Sequence, residues 1–227
     1  MADALSVVVV GPGRLGRHVA AALGAVGHHV RLLGRGEALP PADLTWFTVP
    51  DDALRSLPPG PGARLHSAGA LGPELLGPTG AVLHPLMTFP PPAGASVAAT
   101  LDGHPVPVAL ARRLALDLGW TVIGGVHDRA RYHAAAAMAS GHTAALFLDA
   151  VALLASATGA DQGAAATALL SLAQASLQNA ASGGAAVLTG PAARGDLATI
   201  DAHRRVLPAE ALPAYDALTE RIRALRR

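Results

Sequence analysis

Apolar positions follow two different rhythms in this chain, and the change comes near residue 125. Before it, short apolar runs alternate with glycine- and proline-rich breaks, the pattern of strands and helices in turn. Four consecutive valines, Val7 to Val10, predict a strand buried on both faces. Leu15, Val19, Leu23 and Val26 then recur at helical spacing, with Gly24 and Gly27 closing the segment. Further strands are expected at 29–33, 44–49, 64–66, 81–84, 96–100 and 120–123, and a helix over 106–118. Asp51 or Asp52 is placed to cap a short helix carrying Ala53, Leu54 and Leu57. The segment Glu37 to Asp43 is too short and too proline-rich for a crossing helix, so a loop is expected there.

Beyond Gly124-Gly125 the pattern turns helical. A long alanine-rich helix is expected over 127–158, with Arg131, Met138, His142 and Asp149 on one stripe and His133 and Ser140 on the opposite one. A second helix, capped by Asp161, runs to about 181. A third follows Gly190 to Asp196, with Asp196 as its cap and Thr199 and His203 on a shared face. A last one starts at Pro208, with Tyr215, Leu218 and Ile222 on its apolar side. The chain thus divides into an α/β part, 1–125, and an all-α part, 126–227.

The first strand runs directly into Gly11, Pro12, Gly13, Arg14, Leu15 and Gly16, a complete G-x-G-x-x-G between strand and helix. In that setting the first glycine permits the turn, the second lets backbone approach a pyrophosphate, and the third lets helix pack on strand. Dinucleotide binding is the expectation, against a glycine turn that only closes a βα unit. The second strand ends at Gly34-Arg35-Gly36. A carboxylate at that point favours NAD through the ribose hydroxyl, whereas an arginine can pair with a 2′-phosphate. Arg35 therefore favours NADP over NAD. Val49-Pro50 reads either as a wall of the cofactor groove or as a plain strand-to-helix turn.

His66 and His84 both fall at the carboxyl end of a strand and are each followed by a hydroxyl residue, Ser67 and Thr88. Ligands of open α/β sheets sit at such strand ends. Two readings stand for each histidine: a group lining the site, or one bonded to loop backbone. His104 is expected in a solvated turn.

Composition narrows the chemistry. All 17 basic residues of the 227 are arginine, so no lysine can act as base or proton donor. Acid–base work falls to ten histidines, two tyrosines and the carboxylates. No cysteine means no disulfide, thiolate metal site or cysteine nucleophile. A formal charge of +1 gives no field for nucleic acid. Neither a signal peptide nor a clean membrane span is expected, no metal is called for, and a cytoplasmic protein is the expectation.

The fragments GPGRLG, VPDDAL, HSAGAL, HPLMTF, RYHAAAAMAS and TGPAARGDLATIDAH, in this order, resemble a family of predicted oxidoreductases. Its members join a Rossmann-like N-terminal domain to a helical C-terminal domain of unknown function. It is similar, more distantly, to ketopantoate reductase, pyrroline-5-carboxylate reductase and deazaflavin-dependent NADP reductase. The resemblance implies a dinucleotide on the first domain, with the helical domain closing the site and building a homodimer. Two departures stand out. The family pattern continues Ala-Ser-Asn where this chain has Ala139-Ser140-Gly141, leaving His142 as a possible substitute, and the lysine of ketopantoate reductases has no counterpart.

The expected function is an NADP-dependent oxidoreductase of a small carbonyl or imine compound, ketopantoate-like among the options. His66, Ser67, His84 and His133 are the candidate catalytic residues, and Tyr132, His142 and Arg194 the candidate substrate-binding ones. The other reading of Arg194, slightly favoured over the first, is a structural salt bridge to Asp196 or to a neighbouring helix. The alternative is a dinucleotide-binding sensor or interaction protein without catalysis.

Overall fold

The computed structural model describes residues 3–58 and 60–226, which form two compact units, Met1–Ala137 and Met138–Arg227. Residues 126–137 belong with the α/β unit, so the division falls later in the chain than the change of pattern suggests.

The first unit holds, among the described residues, a seven-stranded sheet in the order β2-β1-β3-β4-β5-β6-β7. Its strands are β1 (Ser6–Val10), β2 (His29–Leu33), β3 (Leu44–Phe47), β4 (Arg64–His66), β5 (Gly80–Pro85), β6 (Ala98–Gly103) and β7 (Thr121–Gly124). The helices are α1 (Arg14–Ala25), α2 (Asp51–Arg55), α3 (Pro105–Asp117) and α4 (Arg129–Ala137). β1 to β5 run parallel, β6 pairs antiparallel with β5 and β7 parallel with β6, so the sheet is mostly parallel. The antiparallel pair follows from its connection: Pro90-Pro91-Pro92 excludes a crossover helix between β5 and β6, and a parallel pairing needs one. The chain leaves β1 for β2 on one side and passes by an irregular loop to β3 on the other. The carboxyl ends of β1 and β3 therefore flank a topological switch point, where such sheets open a ligand crevice.

Both faces of the sheet are covered. Val7, Val9, Leu44, Trp46, Leu65, Leu83 and Leu101 meet Val19 and Leu23 of α1 and Ala111, Leu114 and Ala115 of α3. A smaller cluster joins Phe47 to Leu54 of α2 and to Ala68, Leu71 and Leu76. Trp46 is wholly buried and stands edge-on to Trp120, ring centroids 6.1 Å apart. Neither Asp51 nor Asp52 caps α2. Pro50 precedes the helix and both aspartates lie in its first turn, where their charge suits the helix dipole. His104, by contrast, does cap α3, its ring accepting from the Val106 N–H.

The long helix expected over 127–158 is interrupted. α4 ends at Ala137, a π turn occupies Met138–His142, and α5 (Thr143–Thr158) follows. The extra residue in the π turn shifts the stripes predicted for an uninterrupted helix. Thr143 picks up a carbonyl of the wider turn, its hydroxyl donating to Met138 O at 2.8 Å. In the second unit α5 packs on α6 (Gln162–Gly183), capped by Asp161 as expected, while α7 (Pro191–Arg194), α8 (Leu197–Val206) and α9 (Leu212–Leu225) form a second group. The last helix starts at Leu212 and not at Pro208, because 208–211 form a turn closed by Ala211 N–H on Pro208 O. Tyr215 Oη bonds His203 Nδ1 at 2.7 Å and Arg204 pairs with Asp216 at 3.0 Å, tying α8 to α9. Helical residues 129–158 form a run long and apolar enough to cross a membrane by length and composition, interrupted by His133, His142 and Asp149.

Candidate functional site

The glycine turn is built for close approach. Gly11 has φ +110°, in the region that favours glycine, and a Cβ there would meet Val49 Cγ1 at 2.8 Å. A Cβ on Gly16 would land 2.0 Å from Gly11 O and 2.5 Å from Thr48 Oγ1, so helix and loop touch at that point. Gly13 differs from both: nothing lies within 4 Å of where its Cβ would be. It sits at the N-cap of α1 with no side-chain cap, ahead of a first turn holding no acidic residue. The N–H groups of a first helical turn have no partner within the helix, so this turn offers donors and positive dipole to an anion. The residues present fit the pyrophosphate of a dinucleotide.

Two fasteners of this turn are invisible in the motif. Thr48 Oγ1, just past β3, donates to the carbonyls of Gly11 and Val10, at 2.9 and 3.1 Å. Arg17 Nε donates to Pro12 O at 2.7 Å from the second turn of α1. Val49 borders Gly11 and packs on the smaller apolar cluster, whereas Pro50 is exposed at the start of α2.

Arg14 and Leu15 from α1, Ser67 after β4, and His84, Met87 and Phe89 at and beyond the end of β5 line an open cleft of about 350 Å³. Thr88 lines it too. Ser67 is held from two sides: its hydroxyl accepts from Trp46 Nε1 and donates to Leu83 O, both at 2.8 Å.

The two strand-end histidines part company. His66 is completely buried; its Nδ1 accepts from Ala68 N–H at 3.2 Å, and its Nε2 donates to Gly72 O at 3.1 Å. Burial holds its pKa below the ordinary value. Both ring nitrogens are spent on loop backbone, the second of the two readings open for this histidine. His84 keeps one nitrogen open. Its Nδ1 lies 2.5 Å from Tyr132 Oη, the rings stand edge to face at 5.5 Å, and Thr100 donates to the same phenol oxygen at 3.1 Å. Burial first, then the charges of His133 and Arg129, push the His84 pKa down to about 4, with Asp51 pulling the other way and His66 adding a little. The imidazole is therefore neutral at physiological pH. Burial raises the Tyr132 pKa, opposed by Thr100 and Arg129.

His133 is exposed on α4. Arg35 is exposed past the end of β2, and among the described residues its side chain makes no ion pair. A carboxylate does stand nearby: the turn through Gly36, at φ +80°, brings Glu37 Oε1 back to within 2.6 Å of Gly34 N–H. Four residues past the strand, Glu37 gave no sign of this in the strand-end pattern. In the second unit His142 is exposed in the π turn and Arg194 is exposed at the end of α7. Asp196 spends both carboxylate oxygens on Thr199, capping α8, and forms no salt bridge with Arg194 among the described residues.

The family described as Domain of unknown function (DUF2520) matches residues 97–222. No curated protein matches the sequence. Among solved structures, a protein of Bacteroides fragilis, named as a candidate NADP oxidoreductase, has a TM-score of 0.80 at 19% identity, over 97% of this chain and 98% of that one. A protein of Thermotoga maritima reaches 0.73 at 21%, again over 97% and 98%. The reductive aminase of Aspergillus terreus, in complex with NADPH and ethyl levulinate, reaches 0.68 at 19%, over 98% of both chains. At these identities the likeness establishes the fold: a Rossmann-like α/β sheet followed by helices.

Proposed function

Because this chain belongs to the DUF2520 family and carries an open glycine cradle at the switch point of its sheet, we propose that it is an NADP-dependent oxidoreductase reducing a small carbonyl or imine compound. The observation that carries the reading is Gly13, a position left without a side chain where nothing in the protein needs the space. The structurally similar reductive aminase, which holds NADPH, supports the choice of cofactor. A bound reduced nicotinamide supplies the electron pair for reduction. The chain's own part is to hold the pyrophosphate at the start of α1, pair Arg35 with the 2′-phosphate, and present Ser67 and His84 to the substrate in the cleft. A keto acid of the ketopantoate type and a cyclic imine are the first substrates to try.

Arg35→Ala is expected to weaken NADPH binding about 10- to 100-fold, the worth of a charge-assisted pair, and to leave NADH binding within about twofold. Fluorescence titration with both nucleotides checks this, and equal losses for both sink the 2′-phosphate assignment. A sensor without catalysis is the second reading, supported by Gly141, where the resemblance implies an asparagine. It predicts tight NADPH binding with no oxidation by any carbonyl or imine probe.

The partner of the helical unit, in the same reading, is a second copy in the cytoplasm. Met138, Leu148, Leu170, Leu172 and Leu177 stand 49–66% exposed on its helices, more apolar surface than a lone unit leaves in water. Lipid is a poor occupant, since Arg131, His133, His142 and Asp149 lie along the same helical run. Light scattering without detergent is expected to give twice the 22.7 kDa chain mass; a monomer at micromolar concentration contradicts it.

A further inference from the structure

Reduction of a C=O or C=N bond leaves an electron pair on oxygen or nitrogen that must take a proton, and this chain has no lysine to give it. With burial pushing its pKa down to about 4, the His84 ring is neutral at physiological pH, so it is a poor proton reservoir on its own. Three side chains from three elements of the first unit nevertheless meet behind it. Thr100 on β6 donates to the Tyr132 oxygen, and Tyr132 on α4 lies at hydrogen-bond distance from His84 Nδ1, at the end of β5. With Thr100 donating to it, the phenol directs its own proton at Nδ1. Nδ1 is then the acceptor, and the proton of the neutral ring sits on Nε2. Nε2 has no hydrogen-bond partner among the described residues and is not a buried orphan, and His84 is one of the residues that line the cleft. The loop after β4 fixes the ring: a Cβ on Gly69 would lie 2.8–3.0 Å from Cε1, Nε2 and Nδ1.

We propose that Tyr132 is the proton source of the reduction, delivering through His84 as a two-nitrogen relay. This rests on the reductase reading. A bound reduced nicotinamide would supply a hydride to the substrate carbon, a hydrogen with the electron pair of its own breaking C–H bond; as the C=O or C=N π bond breaks onto its heteroatom, His84 Nε2 gives its proton to that atom. Tyr132 gives its phenolic proton to Nδ1. The imidazole ends neutral in its other tautomer beside a tyrosinate, and the relay resets when Nδ1 hands its proton back to the phenolate oxygen and Nε2 takes one from water. An alkoxide is far more basic than a tyrosinate, so the transfer runs downhill. Thr100 stays donated to the phenolate oxygen. Arg129 pairs with Asp102 at 2.5 Å, has a buried Nη1 without an acceptor among the described residues, and sets positive charge near both ring and phenol. The other charged or titratable groups facing His84 are His133 on α4, Asp51 on α2 and His66 on β4.

The test uses the full chain, with nitrogen-15 spectra of the imidazoles and His84 assigned by its loss in His84→Gln. The wild type is expected to hold His84 in the Nε2–H tautomer, and Tyr132→Phe to mix the two tautomers. An Nδ1–H tautomer in the wild type, or a spectrum unmoved by Tyr132→Phe, overturns the relay. With 1-pyrroline and ketopantoate as probes, Tyr132→Phe is expected to slow NADPH oxidation about 100-fold at unchanged NADPH affinity. The double variant with His84→Gln should be no slower than the worse single one, as for residues acting as a unit. Full turnover in Tyr132→Phe overturns the relay. Failure of the wild type to bind NADPH, or to oxidise it with either probe, counts instead against the reductase reading, and the spectra still decide the hydrogen-bond chain.

Discussion

Gly13→Val is expected to weaken NADPH binding by at least about 100-fold while the protein stays folded. The backbone at Gly13, φ −73° and ψ −173°, suits a β-branched residue, and nothing lies within 4 Å of the new Cβ. The folding cost is that of a poorer N-cap, about 1 kcal/mol or less. The added methyl groups occupy the space through which a pyrophosphate reaches the first turn of α1, so the loss falls on the ligand. Titration with the reduced nucleotide beside a thermal melt separates the two effects. Undiminished binding removes the cradle from the account, and loss of the fold would mean that Gly13 serves packing.

Gly16→Ala, three residues on, is expected to do the opposite. Its single added carbon lands on Gly11 O and Thr48 Oγ1 at 2.0 and 2.5 Å. Gly11 O belongs to backbone fixed by the Thr48 hydroxyl, and Gly11 N–H is bonded to Leu33 O at 2.9 Å, so neither neighbour can step aside cheaply. Overpacking against backbone costs about 3 kcal/mol, roughly 10 °C of melting temperature for a chain of this size. Any loss of nucleotide binding should follow the loss of fold. A melt within about 2 °C of wild type contradicts the close packing of α1 on the loop. One motif thus holds two glycines for different reasons, one for a ligand and one for the protein.

The strands were legible where apolar runs are dense, as at Val7–Val10, because burial on two faces leaves no other reading. The antiparallel β6 was legible in principle: the triple proline that precludes a crossover helix stands in the sequence. The histidines were not. His66 and His84 share the same strand-end position and the same following hydroxyl type, yet one is consumed by Ala68 N–H and Gly72 O while the other meets a tyrosine 48 residues away. Which partner arrives depends on loop path and tertiary contact, and neither leaves a local signal. Thr48, Arg17 and Thr100 were missed for the same reason, since each acts on backbone or side chains distant in sequence or outside the motif's own pattern. The π turn was equally hidden, because Ala139-Ser140-Gly141 reads as ordinary, if weak, helix.

The most direct test of the central claim is titration of the full chain with NADPH, following fluorescence of the reduced nicotinamide, with Gly13→Val alongside. Saturable binding by the wild type, on the order of micromolar, and its loss in the variant are the predicted results. A wild type that saturates with neither NADPH nor NADH contradicts the account, and leaves the glycine turn as a connection between β1 and α1 and nothing more.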